Sequence, residues 1–377
     1  MLAIGLMSGT SLDGVDACLV RIENNQYKLE KFITLPYDED FKEKIARNLN
    51  NDTAKLQEIC SLNFELGYWF VKAIDILLEN TSYQYNDIDF VASHGQTIWH
   101  NPRPINGLIP STLQIGEPSV IAYHTGIKTI ANFRAMDIVA GGEGAPLVPF
   151  SEYLIFKNNH KNRILQNIGG IGNLTYLKKG CQLDEIIAFD TGPGNVMIDY
   201  FIKKYFNLPY DKDGNIAFKG HVIEEVINYL MQDKFIYHKP PKSTGREQYS
   251  VNFMENLACK LNFSKYPKED IITTITEFTV RSIVYNYRAF IKNYDEVIVS
   301  GGGSHNQYIL SRLKHFLNCS VFTQNELGYN SDAKEAIAFV VLGHMTLQNK
   351  PSNVPSATGA KDHVILGNIT YNPRKKG

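Results

Sequence analysis

Three glycine-rich segments of the sequence have the residue types that bind phosphate. They are residues 5–16 (GLMSGTSLDGVD), residues 167–173 (NIGGIGN) and the glycines of VSGGGSHN, residues 301–303. Phosphate oxygens need several donors at once, and a backbone without Cβ can present consecutive N–H groups closely. The first segment also offers hydroxyl donors, at Ser8, Thr10 and Ser11. These segments predict a phosphate site, although a turn at Gly9 also fits an ordinary tight hairpin.

Neither standard nucleotide-binding motif accounts for these glycines. The segment GGGSHN lacks the Lys-Ser/Thr pair of a P-loop, and no G-x-G-x-x-G motif opens a strand-turn-helix unit followed by an acidic residue. The sequence therefore predicts a phosphate clamp that is built from two hairpin turns, one in each half of the chain.

Asp190 is the carboxylate in the best position for acid–base chemistry. It follows the apolar run 186–189, so we expect it at the end of a strand, where α/β sheets present functional groups. A turn then opens the amphipathic helix VMIDYFIKKYF, whose N-terminus favours an anion. The turn contains Thr191, Gly192, Gly194 and Asn195. Taken alone, this pattern favours an aspartate that caps the helix over a general base.

The segments that carry these residues are predicted strands. LAIGLM and VDACLVRIE form a hairpin, and NRILQNIGGIGNLTYL repeats that layout in the second half, ending near Leu177. The segments YNDIDFVASHGQTIW, with a strand at residues 90–92, and YDEVIVSGGGSHN share an acidic lead-in, an apolar strand and a polar turn. Two similarities in the same order favour a duplication, although glycine turns after strands are common.

The remaining elements suggest where the domains divide. Apolar residues at helical spacing predict a helical region from about residue 41 to residue 79. The glycine- and proline-rich segment after residue 130 indicates a domain border. We expect an α/β protein with two domains that face each other across a cleft, residues 1–130 with about 345–377, and residues 131–344.

The composition limits the possible partners. The 377 residues contain 38 Lys and Arg against 39 Asp and Glu, a formal charge of −1, which gives no general attraction for nucleic acid or an anionic membrane. The five cysteines are scattered and include no C-x-x-C pair, so we expect neither a zinc site nor a disulfide framework. No apolar run approaches the ~20 residues of a membrane span, and we expect a reducing, cytoplasmic location.

In combination, the motifs resemble a known superfamily, that of actin, heat-shock chaperone ATPases and sugar kinases. Its two ribonuclease-H-like domains bind ATP between two phosphate hairpins and an adenosine-side glycine turn. Within it, the chain is similar to the anhydro-N-acetylmuramic acid kinase family, from residue 5 to about residue 340. The similarity rests on GLMSGTSLDGVD, SHGQT, NFRAMDIVAGGEGAPLVP, NIGGIGN, FDTGPGNVMID, VSGGGSHN and DAKEAIAF. The combination is specific, whereas NIGGIGN alone would mean little.

The resemblance implies that ATP and Mg²⁺ are required. The residues expected to bind ATP are Gly9, Thr10, Ser11, Leu12, Asp13, Gly14, Val15, Asp16, Asn167, Gly169, Gly170, Gly172, Asn173, Gly192, Gly194, Asn195, Gly301, Gly302 and Gly303. The superfamily usually has a metal-binding aspartate where this chain has Met7. The protein ligands of the metal therefore stay unassigned, and neither Asp13 nor Asp16 is assigned to it.

The resemblance also implies a reaction, in which the 1,6-anhydro ring of 1,6-anhydro-N-acetylmuramic acid is opened by water and O6 is phosphorylated. Asp190 would be the base that deprotonates water, and Glu335 would orient that water or tune Asp190. The expected sugar contacts are Ser8, His94, Gln96, Thr97, Arg134 and Asp137. By residue type, His94 also fits a structural histidine, and Arg134 with Asp137 also fits an ion pair that holds a loop.

The family further implies a cytoplasmic homodimer that recycles cell-wall amino sugars. Two alternatives of the same fold remain open: a kinase that phosphorylates the hydroxyl of a free sugar, and a sugar-sensing or chaperone-like ATPase that phosphorylates no small molecule. The discriminating feature is Asp190 with its Thr-Gly-Pro-Gly-Asn turn.

Overall fold

The computed structural model describes residues 1–9, 12–245 and 248–372. Its strands are β1 Leu2–Ser8, β2 Gly14–Glu23, β3 Gln26–Pro36, β4 Phe90–Ser93, β5 Gln96–Asn101, β6 Ser111–Ile115, β7 Thr129–Ala131, β8 Arg163–Ile168, β9 Ile171–Leu177, β10 Ile187–Pro193, β11 Glu296–Ser300, β12 Ser320–Thr323 and β13 Asn368–Thr370. Its α-helices are α1 Glu39–Asn48, α2 Leu56–Leu78, α3 Pro118–Thr125, α4 Ala135–Val139, α5 Val148–Phe156, α6 Val196–Phe206, α7 Glu224–Leu230, α8 Lys234–Tyr237, α9 Val251–Lys260, α10 Lys268–Phe290, α11 Gln307–Phe316, α12 Lys334–Leu347 and α13 Pro355–Thr358.

The chain divides into two compact units. Unit 1 comprises Met1–Ile155 and Ala333–Gly377, and unit 2 comprises Phe156–Asp332. The borders expected after residues 130 and 344 therefore move to residues 155 and 332. The physical reason is that α12 packs directly on the central strand of unit 1, so closely that a Cβ at Gly5 would lie 2.1 Å from the carbonyl oxygen of Ala336.

The sheets of the two units share the order of five strands, and unit 1 adds β13 at one edge. In unit 1 the order is β13-β7-β4-β1-β2-β3, and in unit 2 it is β10-β9-β8-β11-β12. In each unit three consecutive antiparallel strands are followed by two strands parallel to the first of them. This is the ribonuclease-H-like topology, so the predicted fold and the predicted duplication of its layout are both confirmed.

The predicted hairpins are confirmed in register. Strands β1 and β2 pair from Leu2↔Arg21 to Ser8↔Val15, and β8 and β9 pair from Arg163↔Leu177 to Ile168↔Gly172. The predicted helix after Asn195 is α6. The predicted helical region 41–79 consists of α1 and α2, which are separated by residues 49–55. The polar turn expected after β4 is brief, because β5 follows at once and pairs with β6.

Each unit buries a hydrophobic core of its own. In unit 1 the apolar stripe of α2, including Phe70 and Ile74, packs with Leu6 of β1. In unit 2 the long helix α10 is buried along most of its length and contributes Phe278 and Tyr287. Among the described residues, no helix is long and apolar enough to cross a membrane. The sheets therefore have firmly packed faces, and their strand ends carry the polar groups considered next.

Candidate functional site

The first predicted phosphate segment forms the turn between β1 and β2 in unit 1. Leu12 adopts a left-handed backbone with φ of 57°, and its N–H donates to the carbonyl of Gly9 at 3.3 Å. A Cβ at Gly14 would lie 2.3 Å from the carbonyl oxygen of Leu35, so β2 approaches β3 closely where Val15 follows. Thr10 and Ser11 lie outside the described residues, and their contact with phosphate stays a prediction.

The two carboxylates near this turn have different surroundings. Asp13 is exposed, whereas Asp16 is half-buried and its Oδ1 accepts a hydrogen bond of 2.6 Å from Thr34 Oγ1 on β3. Asp16 is paired in register with Met7. Within the ranges that the structure describes, no group of three or more His, Cys, Asp and Glu side chains could hold a metal. These contacts favour a role for Asp16 in joining β2 to β3.

Ser8 belongs to a buried network at the end of β1. Its Oγ donates to Gln96 Oε1 at 2.6 Å, so the 2.7 Å contact with Tyr37 is one in which the tyrosine hydroxyl donates. The network joins β1, β5 and the residue that follows β3. Burial raises the pKa of Tyr37, which therefore stays a hydroxyl donor. Two predicted sugar contacts, Ser8 and Gln96, are thus brought together by the fold.

His94 and Arg134 form a second pair beside this network. Arg134 Nε donates to His94 Nε2 at 3.0 Å, and since that nitrogen accepts, His94 Nδ1 carries the proton and donates to the carbonyl of Gly95 at 2.8 Å. Burial, and then the charge of Arg134, lower the pKa of His94 to about 3. His94 is therefore a fixed neutral imidazole at ordinary pH.

The low pKa of His94 predicts a loss of stability in acid. The unfolded chain protonates this residue below about pH 6.5, whereas the folded chain does not until about pH 3, so the unfolding free energy falls as pH drops through 6.5. The expected slope is up to about 1.4 kcal/mol per pH unit. Urea unfolding at pH 7.5, 6.5 and 5.5 measures it. His94→Gln is expected to flatten this slope, and His160→Gln, at an exposed histidine, to preserve it; equal slopes in both variants would contradict the assignment.

Asp137 and Arg134 hold the glycine-rich loop that follows α4. Asp137 is fully buried, and it accepts from the Gly144 amide at 2.8 Å and from Asn353 and Thr358 at 2.9 Å each. Arg134 Nη1 donates to the Gly144 carbonyl at 2.8 Å. Among the described residues, no ion pair links Arg134 to Asp137 directly. The loop is held by both residues through Gly144, and a direct sugar contact of Asp137 stays a prediction.

A cavity of about 600 Å³ in unit 1 borders His94 and Gly95. Its wall includes Gln114, whose Nε2 donates to Thr97 Oγ1 at 3.3 Å, and Asn132, which follows β7. Strands β4 and β7 are parallel, so this cavity lies at their carboxyl ends, where α/β sheets commonly bind ligands. Its volume falls within the roughly 300–1,000 Å³ of small-molecule sites.

Glu335 lies in the first turn of α12. It is exposed, and its charge raises the pKa of Arg134, although burial has the larger effect and lowers that pKa to about 10. The start of α12 is held by a buried ion pair of 2.6 Å between Lys334 Nζ and Glu152 Oε1. Glu335 thus belongs electrostatically to the His94–Arg134 region of unit 1, and its predicted action on Asp190 stays a prediction.

In unit 2 the fold brings three predicted segments together. The amides of Gly194 and Asn195 donate to the carbonyls of Gly170 at 2.9 Å and Gly169 at 2.8 Å. Asn195 Nδ2 donates to the Ile168 carbonyl at 3.2 Å. The second hairpin, between β8 and β9, is therefore joined to the turn before α6.

The third glycine segment packs on the same hairpin. Gly301 has a φ of 78°, and a Cβ there would lie 2.7 Å from Asn167 Oδ1. A Cβ at Gly303 would lie 2.3 Å from Ile168 Cγ2, whereas one at Gly302 would meet only Asn195 Nδ2, at 3.5 Å. Asn173 is paired in register with both Asn167 and Asp190. The residues predicted to bind nucleotide in unit 2 thus surround one edge of its sheet.

Asp190 lies in the middle of β10, beside a bulge, and not at the end of the strand as the sequence predicted, because β10 continues to Pro193. The register with β9 shifts between Asp190 and Gly192, where a Cβ on Gly192 would lie 2.5 Å from Ser282 Oγ. Helix α6 begins at Val196, six residues beyond Asp190, and its N-cap is Asn195. Asp190 therefore does not occupy the capping position that its sequence context favours, and its carboxylate is half-buried.

The residues between α8 and α9 contact Asp190, which sequence reasoning missed. The amide of Asp190 donates to the Lys242 carbonyl at 3.1 Å, and Thr244 N–H donates to Asp190 Oδ2 at 2.8 Å. The sequence HKPPKSTGREQYS has the composition of a solvated loop. No local pattern could have revealed these contacts, because their partners are more than 50 residues away in the chain.

A family model and two curated relatives that resemble this chain share one name. A family model described as "Anhydro-N-acetylmuramic acid kinase" matches residues 1–372. The anhydro-N-acetylmuramic acid kinase of Clostridioides difficile (strain 630) is 50% identical over 381 residues, 99% of this chain and 99% of that protein. The one of Bacillus cereus (strain Q1) is 49% identical over 381 residues, 98% of this chain and 99% of that protein.

A solved structure that resembles this chain is more distant in sequence. Component A of the (R)-2-hydroxyglutaryl-CoA dehydratase of Acidaminococcus fermentans is 11% identical, with 90% of this chain and 96% of that one covered and a TM-score of 0.49. A likeness of that size supports no argument about function. The fold assignment rests on the strand order common to the two units.

Proposed function

Because the chain belongs to the anhydro-N-acetylmuramic acid kinase family, we propose that it converts 1,6-anhydro-N-acetylmuramic acid, ATP and water to N-acetylmuramic acid 6-phosphate and ADP. Water forms a bond to the anomeric carbon and gives its proton to Asp190. The C1–O6 bond breaks, and O6 forms a bond to the γ-phosphorus as ADP leaves. The γ-phosphorus takes up the charge that develops on O6, so one strong base suffices.

The observation that best supports this proposal is the environment of Asp190. Its carboxylate adjoins a strand bulge next to the glycine turns, it caps no helix, and a backbone N–H donor fixes Oδ2. A base that deprotonates water must be held in one orientation, and these contacts supply that restraint. A purely structural role for Asp190 would not explain why it lies beside the glycine turns of unit 2.

We assign the phosphate contacts to the glycine turns of both units. In unit 2, the turns at residues 169–170, 192–195 and 301–303 leave no room for Cβ atoms at Gly194, Gly301 and Gly303. The Gly194 and Asn195 amides already donate to the hairpin carbonyls and hold these turns together. We propose that the turns then let phosphate oxygens approach backbone without Cβ atoms beside the start of α6, which favours an anion. In unit 1 the turn between β1 and β2 has the corresponding place after its first strand.

The sugar is assigned to the cavity beside His94. Of the predicted sugar contacts, His94 lines this cavity as a neutral imidazole, and Arg134 is hydrogen-bonded to it. Ser8 and Gln96 form a separate pair that does not line the cavity. The substrate's lactyl group carries a carboxylate, which suits the guanidinium of Arg134. Arg134 stays protonated at neutral pH, since its pKa is lowered only to about 10.

Mg²⁺ is proposed to arrive with ATP. The described residues contain no cluster of three or more metal-binding side chains, and Met7 stands where a carboxylate would be expected. Mg²⁺ commonly binds through only one or two carboxylates together with substrate phosphates, and it neutralises triphosphate charge. No protein ligand is assigned to it. The cytoplasmic location, the homodimer and the role in cell-wall sugar recycling rest on family membership alone.

Isotopically labelled water tests the proposed reaction. With purified chain, anhydro sugar and Mg-ATP in H₂¹⁸O, we expect one ¹⁸O atom at the anomeric hydroxyl of the 6-phosphate product. Mass spectrometry should be applied after a reaction too brief for anomeric exchange, and an unlabelled N-acetylmuramic acid 6-phosphate incubated in parallel controls for that exchange. Phosphorylated product without the label would rule out hydrolytic opening.

The same experiment separates the alternatives. A kinase for a free sugar would phosphorylate N-acetylmuramic acid and leave the anhydro sugar unchanged. A sugar-sensing or chaperone-like ATPase would release ADP and form no sugar phosphate. Formation of the sugar phosphate decides between the kinase and this ATPase, because a fixed carboxylate such as Asp190 can also orient water for the hydrolysis of ATP.

A further inference from the structure

Residues 242–244 contact Asp190, in the middle of β10, through two hydrogen bonds. The Lys242 carbonyl accepts from the amide of Asp190, and the Thr244 amide donates to the carboxylate of the same residue. One hydrogen bond fixes the backbone of Asp190 and the other fixes the rotation of its side chain. The orientation of the Asp190 carboxylate therefore depends on where residues 242–244 lie.

The side chain of Lys242 anchors this segment to α8, α10 and β10. Its Nζ donates to the carbonyls of Phe235 at 3.1 Å and Ile236 at 2.9 Å, both in α8. The ammonium also lies over three aromatic rings, with centroid distances of 4.9 Å to Phe235, 5.1 Å to Phe290 and 5.8 Å to Phe189. Phe189 directly precedes Asp190, so the Lys242 side chain also contacts the residue next to the proposed base.

This environment selects for a cation. Carbonyl oxygens and the faces of aromatic rings both attract positive charge, and their attraction is stronger in a partly desolvated position. An apolar side chain of similar length would leave the two carbonyls without this donor and would lose the attraction to the rings. The charged side chain of Lys242 thus connects α8 to the middle of β10, and we call this set of contacts the Lys242 latch.

We propose that Lys242 is a positioning residue for Asp190, holding residues 242–244 against β10 so that the carboxylate is oriented for deprotonation of water. The proposal rests on the base role assigned to Asp190 under the proposed function. In this role Lys242 itself contacts neither ATP nor the sugar.

The charge on Lys242 makes the latch sensitive to pH. Burial lowers the pKa of Lys242 to about 8, while the charges of Asp190 on β10 and Asp233 at the start of α8 raise it in part. Tyr249 donates to Asp233 at 2.9 Å, and its own pKa is raised by burial, so it remains neutral in this range. About half of the Lys242 side chains are therefore deprotonated near pH 8, and the anchoring weakens further as the pH rises.

Kinetics of two substitutions test the positioning role. Lys242→Met is expected to lower kcat about 10²-fold with the KM for ATP changed less than threefold, because misplacing a catalytic group by about 1 Å has an effect of that size. Lys242→Arg keeps the charge and the ring contacts, so we expect kcat within about tenfold of the unsubstituted chain. The unsubstituted chain should lose kcat above about pH 8, and Lys242→Arg should not.

A second pair of variants leaves Lys242 intact. Thr244→Pro removes the N–H that donates to Asp190, whereas Thr244→Val keeps it and loses only the hydroxyl that donates to Gln248 at 2.8 Å. We expect kcat to fall about 10²-fold in the proline variant and less than threefold in the valine variant. Equal effects of the two would overturn the proposal.

Amide hydrogen exchange tests the latch without substrate. In Lys242→Met, the peptide that contains residues 242–245 is expected to exchange at least tenfold faster, and in Lys242→Arg at nearly the unsubstituted rate. Unchanged exchange in Lys242→Met, or a raised KM for ATP with normal kcat, would overturn the positioning role. An unsubstituted chain that fails to convert the anhydro sugar would count against the proposed function alone, since exchange reports the position of the segment directly.

Discussion

Replacing Asp190 with Asn is expected to lower kcat about 10²- to 10⁴-fold while ATP binding persists. The amide can still accept the Thr244 N–H, so the segment contacts survive, but it cannot take a proton from water. A coupled assay for ADP measures kcat with the anhydro sugar, and titration calorimetry measures the affinity for ATP. Both measurements are made on the same purified variant.

A matched control for this change is Asp213→Asn. Asp213 is exposed, and its φ of 58° is a conformation that asparagine readily adopts. We expect its kcat to stay within twofold of the unsubstituted chain. An Asp190→Asn variant that turned over within tenfold of this control would exclude Asp190 as the base.

Gly194→Ala is expected to have the second largest effect, on both stability and ATP binding. A Cβ at this position would lie 2.2 Å from the Gly169 carbonyl oxygen, and that atom belongs to backbone that other bonds hold in place. Relief of the overlap must separate the second hairpin from the turn before α6. We expect the unfolding free energy to fall by about 1–3 kcal/mol, and the affinity for ATP to fall at least tenfold.

Gly169→Ala provides the comparison within the same pair of turns. Its Cβ would meet nothing nearer than Asn167 Nδ2 at 3.6 Å, so we expect an unfolding free energy within about 0.5 kcal/mol of the unsubstituted chain. Urea denaturation measures both variants, and calorimetry their affinity for ATP. If Gly194→Ala were as stable as Gly169→Ala and bound ATP normally, close packing of the two turns would not be needed for the site.

The sequence predicts those parts of the structure that are determined locally. The hairpins β1–β2 and β8–β9 follow from apolar runs separated by small residues, and α6 begins where its amphipathic pattern begins. Their contacts join residues close in the chain. The repeated layout of the two halves was also recognisable, because each half carries its own copy of the pattern.

Contacts between distant residues account for what the sequence did not predict. The sequence predicts that residues from about 345 onward belong to the first domain, but Gly5 is covered by Ala336, so unit 1 already resumes at residue 333. Nothing in the composition near residue 333 marks that border. The approach of Lys242 to Asp190 is of the same kind, since it depends on how α8 packs and leaves no periodicity in HKPPKSTGREQYS.

Unit 1 consists of two separate stretches of the chain, and this sets an order for folding during synthesis. Unit 2 is one continuous stretch, whereas the helix that covers Gly5, α12, leaves the ribosome only after all of unit 2 has been made. At about 5–20 residues per second, that delay is on the order of ten seconds or more. Throughout it, the face of β1 and β4 that α12 later covers is open to solvent. A nascent chain of this protein should therefore present its first sheet as a binding surface for chaperones, and ribosome-bound chains ending before and after α12 should differ most in the protection of β1.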